Sequence, residues 1–191
     1  VLNFTIEHYK PTICIKLFGP VLFVRNWKVE TEKVWQREKA KELFVYLYIH
    51  RNRFCSKEEI MDALFPSSTE DVAVRDFKVA YNALLKVLEP ERNAREESFY
   101  IERKTGMYRI RSAPYIVSDV HYFEQLISLA KKQHCPILRK QWILKAIQQY
   151  TGNLYEENSH IEWLQQQRNR YKTLYLKAVE QLAQLLFEAQ H

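Results

Sequence analysis

Three glycines are spread over 191 residues, and each stands where the chain has to reverse. Glycine adopts the positive φ of tight turns at no steric cost, so a chain this poor in it turns sharply at few places. Gly19 separates two strand-like runs, "TICIKLFG" and "VLFVRN". Gly106 sits in "SFYIERKTGMYRIR", residues 98–111, where apolar and polar side chains alternate on both sides of a Lys-Thr-Gly turn, as in a short hairpin. Gly152 follows a helical run ending at Tyr150, where a left-handed residue closes the helix. The prolines agree. Pro66 and Pro90 close helical patterns, Pro136 is placed to open one, and Pro114 marks a domain boundary near residues 112–118.

The expected organisation is an appendage or linker over residues 1–11, a first domain over 12–112 and a helical domain over 113–191. A hydrophobic fraction of 47% supplies a core for each domain. The chain opens on Val1, and the expectation is a piece of something longer whose helical domain is truncated. No apolar run is long enough to span a bilayer. Three cysteines, Cys14, Cys55 and Cys135, without metal-type spacing fit reduced thiols in a cytoplasm. A net charge of +6 suits an anionic partner without requiring one.

Between the early strands and the hairpin lie three helical segments. "REKAKELFVYLYIHRN" places Ala40, Leu43, Phe44 and Leu47 on one face, a packing stripe. "CSKEEIMDALF" puts Ser56 three residues before Glu59, a capping box that opens a short helix over about 57–65. In "DVAVRDFKVAYNALLKVLEP", Val74, Phe77, Tyr81, Leu84 and Leu88 recur at spacings of three and four and face the core. Arg75, Lys78, Val79, Asn82 and Lys86 line a neighbouring face. Arg forks onto a guanine edge, Asn pairs doubly with adenine, and Lys neutralises phosphate. The same face also reads as an ordinary solvated helix surface.

Element order favours the first reading. Strands, a helix, a short capped helix, a longer helix with a basic-polar face and a basic-tipped hairpin follow the order of a winged helix-turn-helix. There the third helix enters the major groove and the wing approaches the backbone or minor groove. Arg103, Lys104 and Thr105 then stand at the wing tip, with Arg109 and Arg111 on the return strand. A solvated hairpin whose charges only block edge pairing is the alternative.

The stretches "LFGPVLFVRNWKVE", "REKAKELFVYLYIHRNRFCSKEEIMDALFP", "ALLKVLEP" and "YIERKTGMYRI" together resemble the OmpR-type winged helix of bacterial transcriptional activator (BTAD, SARP-type) regulators. "VSDVHYFEQLISLAKK", "AIQQYTGNLY" and "EWLQQQRNRYKTLYLKAVEQLAQLLFE" are similar to the helical activator domain that follows it in that family. The resemblance implies an α+β winged helix-turn-helix followed by an all-α, TPR-like domain. It also implies sequence-specific binding of double-stranded promoter DNA, usually at direct repeats, with contact to RNA polymerase. Where relatives often carry Leu-Arg late in the recognition helix this chain has Leu84-Leu85, so a role of that Arg does not transfer.

In the second half, "SDVHYFEQLISLAKKQ" starts at a Ser118/Asp119 cap and shows Val120, Phe123, Leu126, Ile127 and Ala130 on one side. The run from about His160 to Ala189 continues the amphipathic pattern. Near its end Leu182, Leu185, Leu186 and Phe187 occupy more than one face, the expected surface for self-association or a partner. The six histidines are scattered, there is no zinc-type Cys pair, and Gly-rich phosphate loops are absent. The expectation is therefore a regulator with no catalytic residue, metal or cofactor; the alternative is an adaptor using both halves to bind proteins.

Overall fold

The computed structural model describes residues 13–93, 95–112, 114–158 and 160–188, so the expected appendage lies outside the described residues. The chain runs β1 (Ile13–Lys16), β2 (Leu22–Arg25), β3 (Lys28–Val29), a 3-10 turn (Glu32–Trp35), α1 (Glu38–Ile49), β4 (Cys55–Ser56) and α2 (Lys57–Leu64). It continues through α3 (Glu70–Leu88), β5 (Ile101–Lys104), β6 (Met107–Ile110), β7 (Ile116–Ser118), α4 (Asp119–Lys132), α5 (Pro136–Gln149) and α6 (Glu162–Glu188). Two compact units result: one is Arg25–Ile116, and the other joins Ile13–Val24 to the residues from Val117 onward.

In the first unit α1 is the central element. The predicted stripe of Ala40, Leu43, Phe44 and Leu47 is buried, but so is every residue from Ala40 to Tyr48. Even Lys41 and Glu42 are enclosed, and each has an ionic partner, Glu32 at 3.1 Å and Lys39 at 2.6 Å. Pairing is what makes buried charge tolerable. Ser56 Oγ accepts from the Glu59 N–H at 3.1 Å, so α2 starts where the capping signature places it. α3 buries Phe77, Leu84 and Leu88 as the spacing predicts, while Val74 and Tyr81 are only half-buried. Ala73, Ala80 and Ala83 complete its packed side. Three antiparallel strands in the order β4-β6-β5 close this unit.

The second unit holds three neighbouring strands, β2-β1-β7, and the three long helices. The sequence analysis assigns β1 and β2 to the first domain, whereas compactness groups them with the helices, and the reason is visible at their turn. Asp119 Oδ1 and Oδ2 accept the Leu17 and Phe18 N–H groups at 2.8 and 2.9 Å, while Ser118 Oγ caps α4 by accepting from His121 N–H at 3.0 Å. The Phe18 ring then sits among Phe123, Tyr150 and Tyr171, with centroids 4.8–5.5 Å away. Burial pushes the Asp119 carboxyl above its ordinary pKa, against the pull of the N–H groups of Phe18, Leu17 and Val120.

Gly152 has a different role from the one expected. Of the three glycines, Gly19 (84°) and Gly106 (77°) have positive φ and Gly152 does not. A Cβ on Gly152 would instead stand 2.9 Å from Gly19 Cα, so glycine is required by close backbone approach. That approach is where the β1–β2 turn meets the loop after α5, through Gly19 N–H to Asn153 O at 2.9 Å and Tyr155 N–H to Leu17 O at 2.8 Å. α4, α5 and α6 meet around Ala130, Ile143 and Ala178.

Replacing Asp119 by Ala leaves two inward backbone donors without their acceptor, at roughly 1–3 kcal/mol for each. Urea unfolding of Asp119→Ala is expected to show a clearly lowered midpoint. A midpoint equal to wild type would mean that water satisfies both donors.

Candidate nucleic-acid interface

α3 is long enough to bury one side and present the other. Arg75, Lys78, Val79, Asn82 and Lys86 are all exposed, and helical geometry confines them to an arc of about 100°. They do not share one surroundings. Arg75 Nε lies 3.0 Å from Asp76 Oδ1, an exposed pair of small energetic weight. Val79 borders a hollow with Phe65, Arg37 and Lys39. Asn82 borders a separate cleft of about 770 Å³ between α3, the loop after it and the β5–β6 hairpin.

The hairpin turn is Thr105-Gly106, with φ of 47° and 77°. Two consecutive positive φ values are the geometry of a type I′ turn, whose twist matches the strands it joins. Gly106 O accepts the Lys57 N–H at 3.1 Å and ties the tip to the start of α2. Register then sorts the cations. Arg103 pairs with Tyr108 across the hairpin and lies 5.7 Å from that ring, while Glu102 pairs with Arg109. Lys104 and Arg109 instead lie over Phe54, at 5.4 and 4.3 Å.

Arg103, Lys104 and Thr105 are exposed, as a tip requires. Arg109 is half-buried and bound to Glu102 at 2.7 Å, with Arg111 3.3 Å from the same carboxylate. The Arg109 guanidinium holds the Glu102 carboxyl below its usual pKa. Arg109 therefore stiffens the hairpin, whereas Arg103 and Lys104 have no carboxylate within ion-pair distance among the described residues.

Sequence reasoning passed over Arg92 and Arg95, which border the same cleft from the α3–β5 loop. The charge-dense run "ERNAREE" is the signal that could have found them. It also passed over Phe54, for which the sequence carries no signal.

Glu59 holds α2 in place. Its carboxylate accepts from the Arg53 guanidinium, with one contact at 2.9 Å, and from Tyr46 O–H at 2.8 Å. Arg53 in first place, and Tyr46, the Arg53 charge and the Ser56 N–H after it, outweigh burial and depress the Glu59 pKa to about 2. Burial pushes the neighbouring Cys55 thiol up to about 11. Among the described residues no three His, Cys, Asp or Glu side chains are grouped to hold a metal ion, and no helix is long and apolar enough to cross a membrane.

No protein-family model matches the chain, and no curated protein sequence does. Its fold is similar to that of Mycobacterium tuberculosis EmbR, solved in complex with a low affinity phosphopeptide, with a TM-score of 0.75 at 14% identity. The match covers 94% of this chain and 47% of that one, so the chain spans about half the length of the solved protein it resembles. A likeness at this identity is one of fold, a mixed α+β architecture with small sheets.

A depressed folded-state pKa means that Glu59 contributes stability above the unfolded carboxyl value and loses it as pH falls toward about 2. Glu59→Gln is expected to lower stability at pH 7 and to flatten the acid limb of a stability–pH curve below about pH 4.5. An acid limb identical to wild type would assign that dependence to other carboxylates.

Proposed function

We propose that the chain is a sequence-specific, SARP-type transcriptional regulator that binds double-stranded promoter DNA through an OmpR-type winged helix. The observation that carries this reading is the division of α3, which is packed along Phe77, Ala80, Leu84 and Leu88 and open along Arg75, Lys78, Val79, Asn82 and Lys86. Beside it stands a hairpin with two exposed cations at its tip that have no carboxylate partner among the described residues. The fold it shares with EmbR, a SARP-family transcriptional regulator, supports the same assignment.

In this reading α3 enters the major groove. Arg75 exchanges its exposed pairing with Asp76 for a guanine edge, Asn82 takes an adenine, Val79 meets a thymine methyl, and Lys78 and Lys86 meet phosphates. Arg103 and Lys104 meet the backbone, with Thr105 at the turn. Promoter activation, direct-repeat sites and contact with RNA polymerase complete the proposal, as the SARP resemblance implies.

The helical unit serves assembly or partner binding through α6, as a TPR-like array would. Leu182 and Leu185 pack against the Ala130–Ile143–Ala178 core and belong to the fold. The surface available for association is the exposed row of Leu176, Val179, Leu186 and Phe187, which spacing places on one side of the helix.

Arg75→Ala or Asn82→Ala is expected to relax preference at one base position and cost about 1–3 kcal/mol, read by selecting bound sites from random duplexes. Neutralising Arg103 and Lys104 together should weaken all sequences alike and reduce the slope of log affinity against log salt by about two. Unchanged site preference and an unchanged slope would leave the adaptor reading standing.

For α6, sedimentation separates the two sets of leucines. Leu176→Glu/Leu186→Glu is expected to abolish concentration-dependent association while keeping thermal stability, whereas Leu182→Glu/Leu185→Glu should destabilise the helical unit itself. A wild-type chain that stays monomeric throughout the micromolar range would contradict the association surface.

A further inference from the structure

The cleft beside Asn82 has a wall that the winged-helix reading does not use, the loop joining α3 to β5. Its described residues are tied together by hydrogen bonds. The buried Glu89 carboxylate accepts from Ser98 O–H and, at 3.0 Å, from Phe99 N–H, closing the loop at its base. The Arg92 guanidinium donates to the Asn93 and Glu96 carbonyls, and Asn93 Nδ2 donates to Glu96 Oε1 at 2.6 Å. Arg95 stands exposed on this frame at the cleft.

The charges around the cleft can be sorted by partner. Glu102 is engaged by Arg109 and Arg111, Glu96 by Asn93, and Arg92 by carbonyls. Arg95, from the α3–β5 loop, and Arg103, from β5, remain without a carboxylate in ion-pair distance among the described residues, and Glu97 lines the same cleft. All four residues of β5 line the cleft, and β5 is the edge strand of its sheet; the Ile101 N–H donates to Ser98 Oγ at 3.0 Å, while the outward Arg103 N–H has no strand partner. Two guanidinium groups and an edge N–H form a donor set suited to a phosphate, since Arg and backbone N–H are the groups that position phosphates in protein–DNA contacts.

We propose that this cleft seats one DNA phosphodiester, gripped by Arg95 from the α3–β5 loop and by Arg103 from the hairpin, with Asn82 beside it. The proposal rests on the DNA-binding reading and adds to it a backbone contact made by the loop after α3. Glu97 opposes the phosphate and tunes the grip.

The test uses the full chain and a duplex selected by it from a random pool, with affinity read by fluorescence anisotropy over a range of salt. Arg95→Ala is expected to keep the wild-type melting temperature and base preference while lowering the salt slope by about one. Glu97→Gln should tighten binding. A scan of single neutral methylphosphonate linkages should reveal one position at which wild type loses as much affinity as Arg95→Ala loses on unmodified DNA, and at which Arg95→Ala loses nothing more. Wild-type binding with a silent Arg95→Ala, or losses that add at every linkage, overturns the phosphodiester seat and leaves the DNA reading intact. Failure of wild type to bind any duplex overturns both. Loss in Arg95→Ala of binding to a phosphoserine peptide, with DNA binding unchanged, assigns the cleft to a phosphate monoester and overturns the proposal as stated.

Discussion

The Tyr108 ring is the joint on which the candidate interface depends. It meets Phe77 and Tyr81 edge-on, each at 5.2 Å, and those two rings lie one turn apart on α3. A hairpin of four-residue strands is marginal alone, and β6 gains its order by resting this ring on α3 and by pairing Cys55 with Tyr108 and Ser56 with Met107 in β4. The joint sets the spacing between the open face of α3 and the hairpin tip. Aromatic contacts of this edge-on kind add about 0.5–1.5 kcal/mol beyond area burial, enough to favour one arrangement without rigid covalent support.

Around that joint, cations fall into two groups by what they touch. Arg25 bonds Glu30 and the Val87 carbonyl, Arg53 bonds Glu59, and Arg109 and Arg111 share Glu102; these hold elements together. Lys78, Lys86, Arg95, Arg103 and Lys104 stand exposed without such bonds among the described residues. The second group is free to exchange water and counterions for phosphate, which is the source of salt-dependent affinity. The distinction matters for reading mutants. Loss of a cation from the first group disturbs folding and binding together, whereas loss from the second leaves stability nearly unchanged.

Much of the first unit was legible because its signals are local. The Ser56 cap, the turn at Gly106 and the face of α3 each depend on residues within a few positions, and the structure places them so. What stayed hidden depends on distant partners. Leu17 and Phe18 find Asp119 more than 100 positions away, so no window on β1 shows that it is held by α4. The burial of α1 on every side from Ala40 to Tyr48 was equally hidden, since Lys41 and Glu42 look like solvent residues until Glu32 and Lys39 are placed beside them. Arg109 looks in sequence like any basic residue on the return strand; only the register to Glu102 shows it engaged.

Asp119 carries a consequence for the helical unit beyond stability. One carboxylate receives the backbone of the β1–β2 turn while the adjoining Ser118 caps the helix it starts. The turn carries Phe18 into a cage contributed by α4, α6 and the residue after α5, so strand, helix start and helical core share one set of bonds. Coupled groups of this kind do not open separately at low cost, because releasing the turn exposes an aromatic ring and leaves two donors unpaired. The other end of α6 differs. Beyond Ala178 its packed side is formed by half-buried Leu182 and Leu185, and Leu186 and Phe187 are exposed. Burial within this unit therefore declines along α6 from the Phe18 cage outward, and a partner bound on Leu176, Val179, Leu186 and Phe187 would stabilise the part of the helix that its own unit covers least.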